Sequence, residues 1–170
     1  FVIDPKDRVK VEDIVIDGNQ TFTDRKLRKQ MKKTKRKGTL LRKSKFIEKE
    51  YQEDIKTLTK FYQNEGFKNM SIVSDTTYRT KDGNVMVKLN IEEGKRHFFR
   101  NIKWKGNTLY SNDYLSTVLG ISKGDIYNPE LLQNRLKFSL DGRDISSQYM
   151  DYAYLAFDIT PVETSVENDS

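Results

Sequence analysis

The sequence predicts an α+β chain made of tandem βααββ modules, each a small sheet covered on one face by two helices. Three observations carry this. The chain resembles itself at a fixed offset, its apolar spacing alternates between periods near two and near 3.6, and turn signals separate those stretches in the same order twice.

A shift of 88 positions superposes Val11 on Phe99, Ile14 on Ile102, Ile16 on Trp104, Gly18-Asn19 on Gly106-Asn107, and Phe22 on Tyr110. It also superposes Thr23 on Ser111, Leu27 on Leu115 and Met31 on Leu119. After a short insertion or deletion, Lys37-Gly38 falls on Lys123-Gly124, and Tyr62-x-x-x-Gly66-Phe67 on Tyr149-x-x-x-Ala153-Tyr154. The same offset sets Phe1, Ile3 and Asp4 on Leu89, Ile91 and Glu92. Residues 1–7 therefore read as the tail of a preceding copy, 8–94 as a complete copy, and 95–170 as a second copy without its last strand.

Within one copy each element has a local cause. Val9, Val11, Ile14 and Ile16 form a strand whose phase slips near Asp13, and Gly18-Asn19 ends it in a turn that tolerates positive φ. Thr23 is a helix N-cap, with Leu27 and Met31 facing inward. After a basic loop, Ile47, Tyr51, Ile55, Leu58 and Tyr62 recur on one face of a longer helix. Gly66 supplies a left-handed C-cap there, and Phe67 is expected to fold back.

Met70 to Thr80 is rich in β-branched residues, Asp82-Gly83 signals a hairpin, and Val85, Val87, Leu89 and Ile91 alternate with polar positions. That alternation predicts one buried and one wet face. In the second copy, Asn128-Pro129-Glu130 opens a helix that Asp141-Gly142-Arg143-Asp144 interrupts or lengthens.

Composition sets further bounds. The 170 residues are 33% charged, with a mean hydropathy of -0.79, yet they include nine Phe and nine Tyr, enough apolar mass to fold. No apolar run approaches the roughly 18 residues a membrane span requires, and the start at Phe1 carries no signal-peptide pattern, so any targeting signal is expected to have been removed. Cysteine is absent, which excludes disulfides and cysteine-ligated metal.

His97 is the single histidine, so no multi-histidine metal site or H-E-x-x-H motif can form. Glu92 and Glu93 are adjacent on a strand and point to opposite faces. No glycine spacing fits a nucleotide loop. An enzyme, a cofactor and a metal are therefore not expected. Tyr62, Tyr149, Phe67 and Trp104 read as core packing rather than a ligand cage.

The net charge of +6 is concentrated: residues 25 to 49 hold thirteen Lys or Arg against Glu48 alone. Lys32, Lys33, Lys35, Arg36 and Lys37 form the candidate basic surface. A solvated helix face, an anionic membrane surface and an acidic partner all remain open for it.

A βααββ module ending in Glu92-Glu93-Gly94, followed at once by a strand with Gly106-Asn107, resembles the POTRA domain, the polypeptide-transport-associated repeat. The carrying elements are Ile14-x-Ile16-x-Gly18-Asn19, Tyr62-x-x-x-Gly66-Phe67 and Val87-x-Leu89-x-Ile91-Glu92-Glu93-Gly94. The resemblance covers almost the whole chain and implies a three-stranded mixed sheet in each copy. Consecutive copies and a long helix from Lys43 to Gly66 look most similar to the periplasmic arrays of BamA-type outer-membrane assembly factors. Other family members serve secretion or import pores. Ala153, where a glycine is usual, departs from the pattern.

What the resemblance implies is a periplasmic module that receives unfolded outer-membrane proteins and docks accessory lipoproteins. It also sets strand two at the border of the sheet, where an exposed edge offers backbone hydrogen bonds to a visiting strand. The expected client-binding residues are Met70, Ser71, Ile72, Val73, Ser74, Asp75, Thr76, Thr77 and Tyr78. Gly94, Lys95, Arg96 and His97 are expected to form the joint between copies. Tyr154 to Thr160 is expected to be an exposed strand, or one paired with a neighbouring chain, with Phe1 to Asp4 as a possible partner for self-association.

A KH-type RNA-binding tandem shares the element order, but its Gly-x-x-Gly clamp is absent from Lys37-Gly38-Thr39-Leu40-Leu41 and from Lys123-Gly124-Asp125-Ile126. Nor are aromatics interleaved with the basic run, as base stacking requires. Nucleic acid is not expected as a partner.

Overall fold

In a computed structural model the described residues are 9–38, 44–137, 139–140, 142–152, 154, 156 and 157–164. The chain divides into two compact units, residues 1–97 and 98–170.

The first unit carries β1 (Val11–Asp17), α1 (Asp24–Gln30), α2 (Glu48–Asn64), β2 (Ser71–Arg79) and β3 (Val85–Glu92). Its sheet has the order β1-β3-β2, with β1 parallel and β2 antiparallel to β3. The strand encoded last is thus the central one, and it bonds to both others. The expected phase slip in β1 is present as a register shift between Val11 and Asp13.

Alternation on β3 buries Val85, Val87, Leu89 and Ile91 against Tyr51, Leu58 and Tyr62 of α2 and Leu27 of α1, with Met31 just beyond α1. Thr23 caps α1 by accepting from Lys26 N. At the end of α2, Gly66 at φ 93° lets Phe67 N donate back to Tyr62 O at 2.9 Å. Phe67 is buried edge-on against Phe22 and Tyr62, so the fold-back expected of it occurs.

The start of α2 differs from the long helix implied by the family resemblance. Lys43 lies outside the described residues, and the helix begins only at Glu48. The backbone before it is committed elsewhere: Val11 N donates to Ser44 O at 2.7 Å and Phe46 N to Val9 O at 2.9 Å. An extended segment cannot serve the strand and a helical ladder at once.

The second unit carries α3 (Asn112–Leu119), α4 (Pro129–Lys137) and α5 (Ile145–Met150) around Leu115, Leu119, Ile121, Leu136, Ile145 and Tyr149. Gly142-Arg143-Asp144 stand outside both α4 and α5, so the helix is interrupted there. Asp144 caps α5 by accepting from Ser147 N at 2.9 Å, and it also receives Ser139 N at 2.9 Å, while Asp141 and Ala153 lie outside the described residues.

No strand occurs among the described residues of this unit, so the expectation of βααββ in both copies holds for the first unit alone. In the first unit β1 and β2 each pair with β3 and not with each other. Tyr154 and residues 156–160, expected as an exposed or intermolecular strand, form no strand, and Tyr154 is 52% exposed. Phe157 stacks on Tyr149 with ring centroids 3.9 Å apart, and Lys137 pairs with Asp158 at 3.3 Å, so the segment folds onto its own helices. Its suggested partner, Phe1 to Asp4, lies outside the described residues.

Candidate functional site

The two sides of the first unit's sheet end differently. Along β1 the chain's own backbone occupies the rim: besides the bonds to Ser44 and Phe46, Lys37 N donates to Val11 O at 2.7 Å. Further along, Arg28 reaches from α1 and donates to Ile14 O at 3.1 Å. The outer side of β1 is therefore satisfied over Val9 to Ile14 by residues that follow it in the chain.

At the other side, β2 is a border strand bonded to β3 alone. The helical roof does not extend over it. Asp75 and Thr77 stand opposite the buried Leu89 and Val87, and both are exposed. The strand's main tie to the helices is the Tyr51 hydroxyl, which donates to Asp75 Oδ1. Burial first, and then that bond to a carboxylate, holds the Tyr51 hydroxyl well above the ordinary tyrosine range.

The register slips between Ile72 and Ser74, leaving Val73 without a partner on β3 and 60% exposed. Tyr78 is 51% exposed, while Ser71, Ser74 and Thr76 are exposed and Ile72 packs partly on the core. Met70 is buried and lies just before the strand, so it anchors the edge rather than offering a surface. The sequence-derived set from Ser71 to Tyr78 thus lies together along one open border.

The basic run is drawn apart. Lys33 pairs with Glu53, Arg36 with Asp13 at 3.4 Å and Lys37 with Glu12 at 3.9 Å. The bond between Lys33 and Glu53 raises the lysine above its usual range and lowers the carboxyl below its own. The backbone N–H groups of Lys33 and Thr34 both donate to the buried Asp54 of α2, which fixes the loop that carries them. Lys32 is exposed.

The segment after β3 is tied to the first unit. Arg96 Nε donates to Glu65 O at 2.8 Å and its guanidinium pairs with Glu65 at 3.3 Å. His97 N donates to Gly66 O at 2.8 Å. Lys95 and Gly94 are exposed. The residue that organises this end is not among those the sequence marks as candidates. Glu93 accepts from Thr21 N at 3.1 Å, from Thr21 Oγ1 at 2.6 Å and from Tyr62 OH at 2.9 Å. A lone carboxylate at the end of an alternating strand gives no sign in sequence of donors 72 and 31 residues away.

The repeat holds at the level of single hydrogen bonds. Asn19 Nδ2 donates to Phe22 O at 2.8 Å and to Asp24 Oδ1 at 2.9 Å; Asn107 Nδ2 donates to Tyr110 O at 2.9 Å and to Asn112 Oδ1 at 2.8 Å. Phe22 meets Tyr62 edge-on at 5.3 Å, and Tyr110 meets Tyr149 at 5.1 Å. Phe67 N bonds to Tyr62 O, and Tyr154 N to Tyr149 O at 3.3 Å. Trp104, the counterpart of Ile16, packs on the second cluster and donates from Nε1 to Ser116 Oγ at 2.9 Å. These aromatics pack the two cores, as their spacing led us to expect.

Among the described residues no helix is long and apolar enough to cross a membrane. A curated relative, the outer membrane protein assembly factor BamA of Neisseria meningitidis serogroup B, is 33% identical over 112 residues, which is 64% of this chain and 14% of that protein's length. A crystal structure of Haemophilus influenzae BamA POTRA3-5 shares the fold with a TM-score of 0.55 at 18% identity, over 74% of this chain and 50% of that one. The family model described as POTRA, surface antigen variable number repeat, matches residues 9–94 and again 97–170. Matched twice over nearly its whole length, and carrying in each half the same Gly-Asn turn and aromatic contacts, the chain belongs to the POTRA family.

Proposed function

We propose that this chain is a periplasmic, non-catalytic part of an outer-membrane protein assembly factor and that β2 receives unfolded outer-membrane proteins by strand addition. The observation that carries this reading is the asymmetry of the sheet. The molecule's own backbone fills the rim of β1 over Val9 to Ile14, whereas among the described residues β2 is bordered by β3 alone. An unfilled row of N–H and C=O groups binds an extended chain largely without regard to its side chains, which suits clients that share only β-strand character.

Charge adds to the argument. Edges that must stay solitary are usually protected by lysines, prolines or inward charges. Between Ser71 and Arg79 there is no lysine or proline, and Asp75 is already engaged by Tyr51. Docking of accessory lipoproteins belongs to the same proposal by analogy with the assembly factor that the chain resembles. The chain spans 14% of that relative's length, so the assembly role is inferred from the kinship and from the edge together.

Val73→Pro and Thr77→Pro test it. Val73 has no partner on β3, so its replacement leaves the paired ladder intact while adding a residue that cannot donate. With folding confirmed by circular dichroism, binding of a urea-unfolded outer-membrane barrel protein should fall at least tenfold in both variants. Undiminished binding in folded Val73→Pro and Thr77→Pro would refute strand addition at β2.

A further inference from the structure

A groove in the first unit brings Lys35 and Arg36 of the basic run together with three cations of α1. An open groove of about 320 Å³ lies between α1 and the segment after it, lined by Ile14, Arg25, Arg28, Lys29, Thr34, Lys35 and Arg36. Helical spacing projects Arg25, Arg28 and Lys29 from neighbouring positions of α1, and the loop fixed on Asp54 brings Lys35 and Arg36 to the same groove. Of these cations, Arg28 is bonded to Asp24 at 3.1 Å and Arg36 to Asp13 at 3.4 Å. Arg25 and Lys29 have no acidic partner among the described residues.

A second observation is independent of charge. Thr34 lines this groove, is only 2% exposed, and its Oγ1 has no hydrogen-bond partner. A buried hydroxyl without a partner costs free energy, and such groups are rare enough that each one calls for a cause. A ligand oxygen accepting from it would supply one.

We infer that this groove binds a phosphate group, held by Arg25, Arg28 and Lys29 with the Thr34 hydroxyl donating from its floor. Guanidinium forks match the several equivalent oxygens of a phosphate better than they match a single acceptor, and a dianion complements the charges of Arg25 and Lys29. The volume is about ten times the share of one water molecule in the liquid, which leaves room for a phosphate and part of the group that bears it. The same chemistry is offered by free phosphate and by the headgroup of an anionic lipid. The inference does not depend on strand addition at β2.

The test uses the whole chain at constant ionic strength, because exposed charges are screened by salt. Inorganic phosphate is titrated while amide shifts of Lys29 and Thr34 are followed by NMR, and flotation with phosphatidylglycerol vesicles, against phosphatidylcholine vesicles, forms the second arm. We expect saturable binding in at least one arm. It should weaken more than tenfold in the Arg25→Glu/Lys29→Glu double variant and at least threefold in Thr34→Val, with Thr34→Ser retaining it.

Saturation by inorganic phosphate identifies the free anion as sufficient. Binding confined to phosphatidylglycerol vesicles, with the same variant pattern, identifies a lipid-borne phosphate. The inference is overturned if neither probe binds, or if Thr34→Val and the double variant bind as the parent does. It is equally overturned if Lys103→Glu/Lys105→Glu, the same change of charge in the second unit, weakens binding as much.

Discussion

Tyr62 on α2 donates its hydroxyl hydrogen bond to Glu93 at 2.9 Å, joining the last turns of the helix to the residue just past the central strand. Glu93 is buried and also holds Thr21 through both its amide and its hydroxyl. One carboxylate thereby clamps the turn after β1, the end of β3 and the core face of α2.

Removing that charge should loosen all three. Glu93→Gln keeps the shape but turns an amide N–H₂ toward groups that themselves donate, so we expect a loss of about 1.5–3 kcal/mol. The midpoint of urea unfolding, followed at the tyrosine signals, checks it. A variant as stable as the parent would show that the clamp carries no weight.

The same pair predicts an alkaline weakness. Burial first, and then Glu93, holds the Tyr62 hydroxyl above the ordinary range, and Tyr51 is raised in the same direction. The stabilising difference is fully present below the unfolded tyrosine value of about 10 and is lost as pH climbs toward the folded values, because only the unfolded chain gives up its protons. Stability should fall by about 1.4 kcal/mol per pH unit for each of the two tyrosines above pH ~10. Urea melts between pH 9 and 11.5 measure the slope, and Tyr62→Phe should roughly halve it.

Gly18 predicts a contrast between two alanine substitutions. At φ 83° its missing Cβ would come 2.0 Å from Ile91 O, a backbone atom of the central strand. Gly83, at φ 76° in the hairpin, has nothing within 4 Å. Gly83→Ala should therefore cost only the left-handed strain of about 1–2 kcal/mol. Gly18→Ala should cost at least about 3 kcal/mol, since β3 must move as well. Thermal unfolding of the pair decides; equal losses would show that the β1 turn does not need this close approach.

Thr34→Val should leave the ligand-free protein as stable as the parent, or raise its stability by up to about 1 kcal/mol. The replaced hydroxyl is buried without a partner, and a methyl group of the same shape has no lost hydrogen bond to replace. Urea unfolding without phosphate is the measurement. A loss above about 1 kcal/mol would mean the hydroxyl already has a partner in the folded chain.

How far the sequence reaches follows from the range of each interaction. Gly18-Asn19 and Gly106-Asn107 could be matched on sight because Asn19 and Asn107 bond only three and five residues onward. The Thr23 cap, the Gly66 fold-back and the alternation of Val85 to Ile91 are likewise settled within a turn or a strand. The border position of β2 followed from kinship, not from any residue in it.

Other features needed the folded chain. Lys32 to Lys37 read as one basic surface, because nothing in their spacing shows that Glu53, Asp13 and Glu12 will reach them across the fold. The filling of the β1 rim by Lys37, Ser44 and Phe46, and the gathering of Arg25, Lys29 and Thr34 into one groove, rest on the same kind of distant encounter.

By itself, then, the sequence determined the repeat, the order of its elements and their caps, since these are encoded in periods and turns a few residues long. Only the tertiary structure decided which edge stays open among the described residues and which cations stand together. Those outcomes depend on which distant backbone and side-chain groups arrive first at the same hydrogen bond, and no local pattern records that competition.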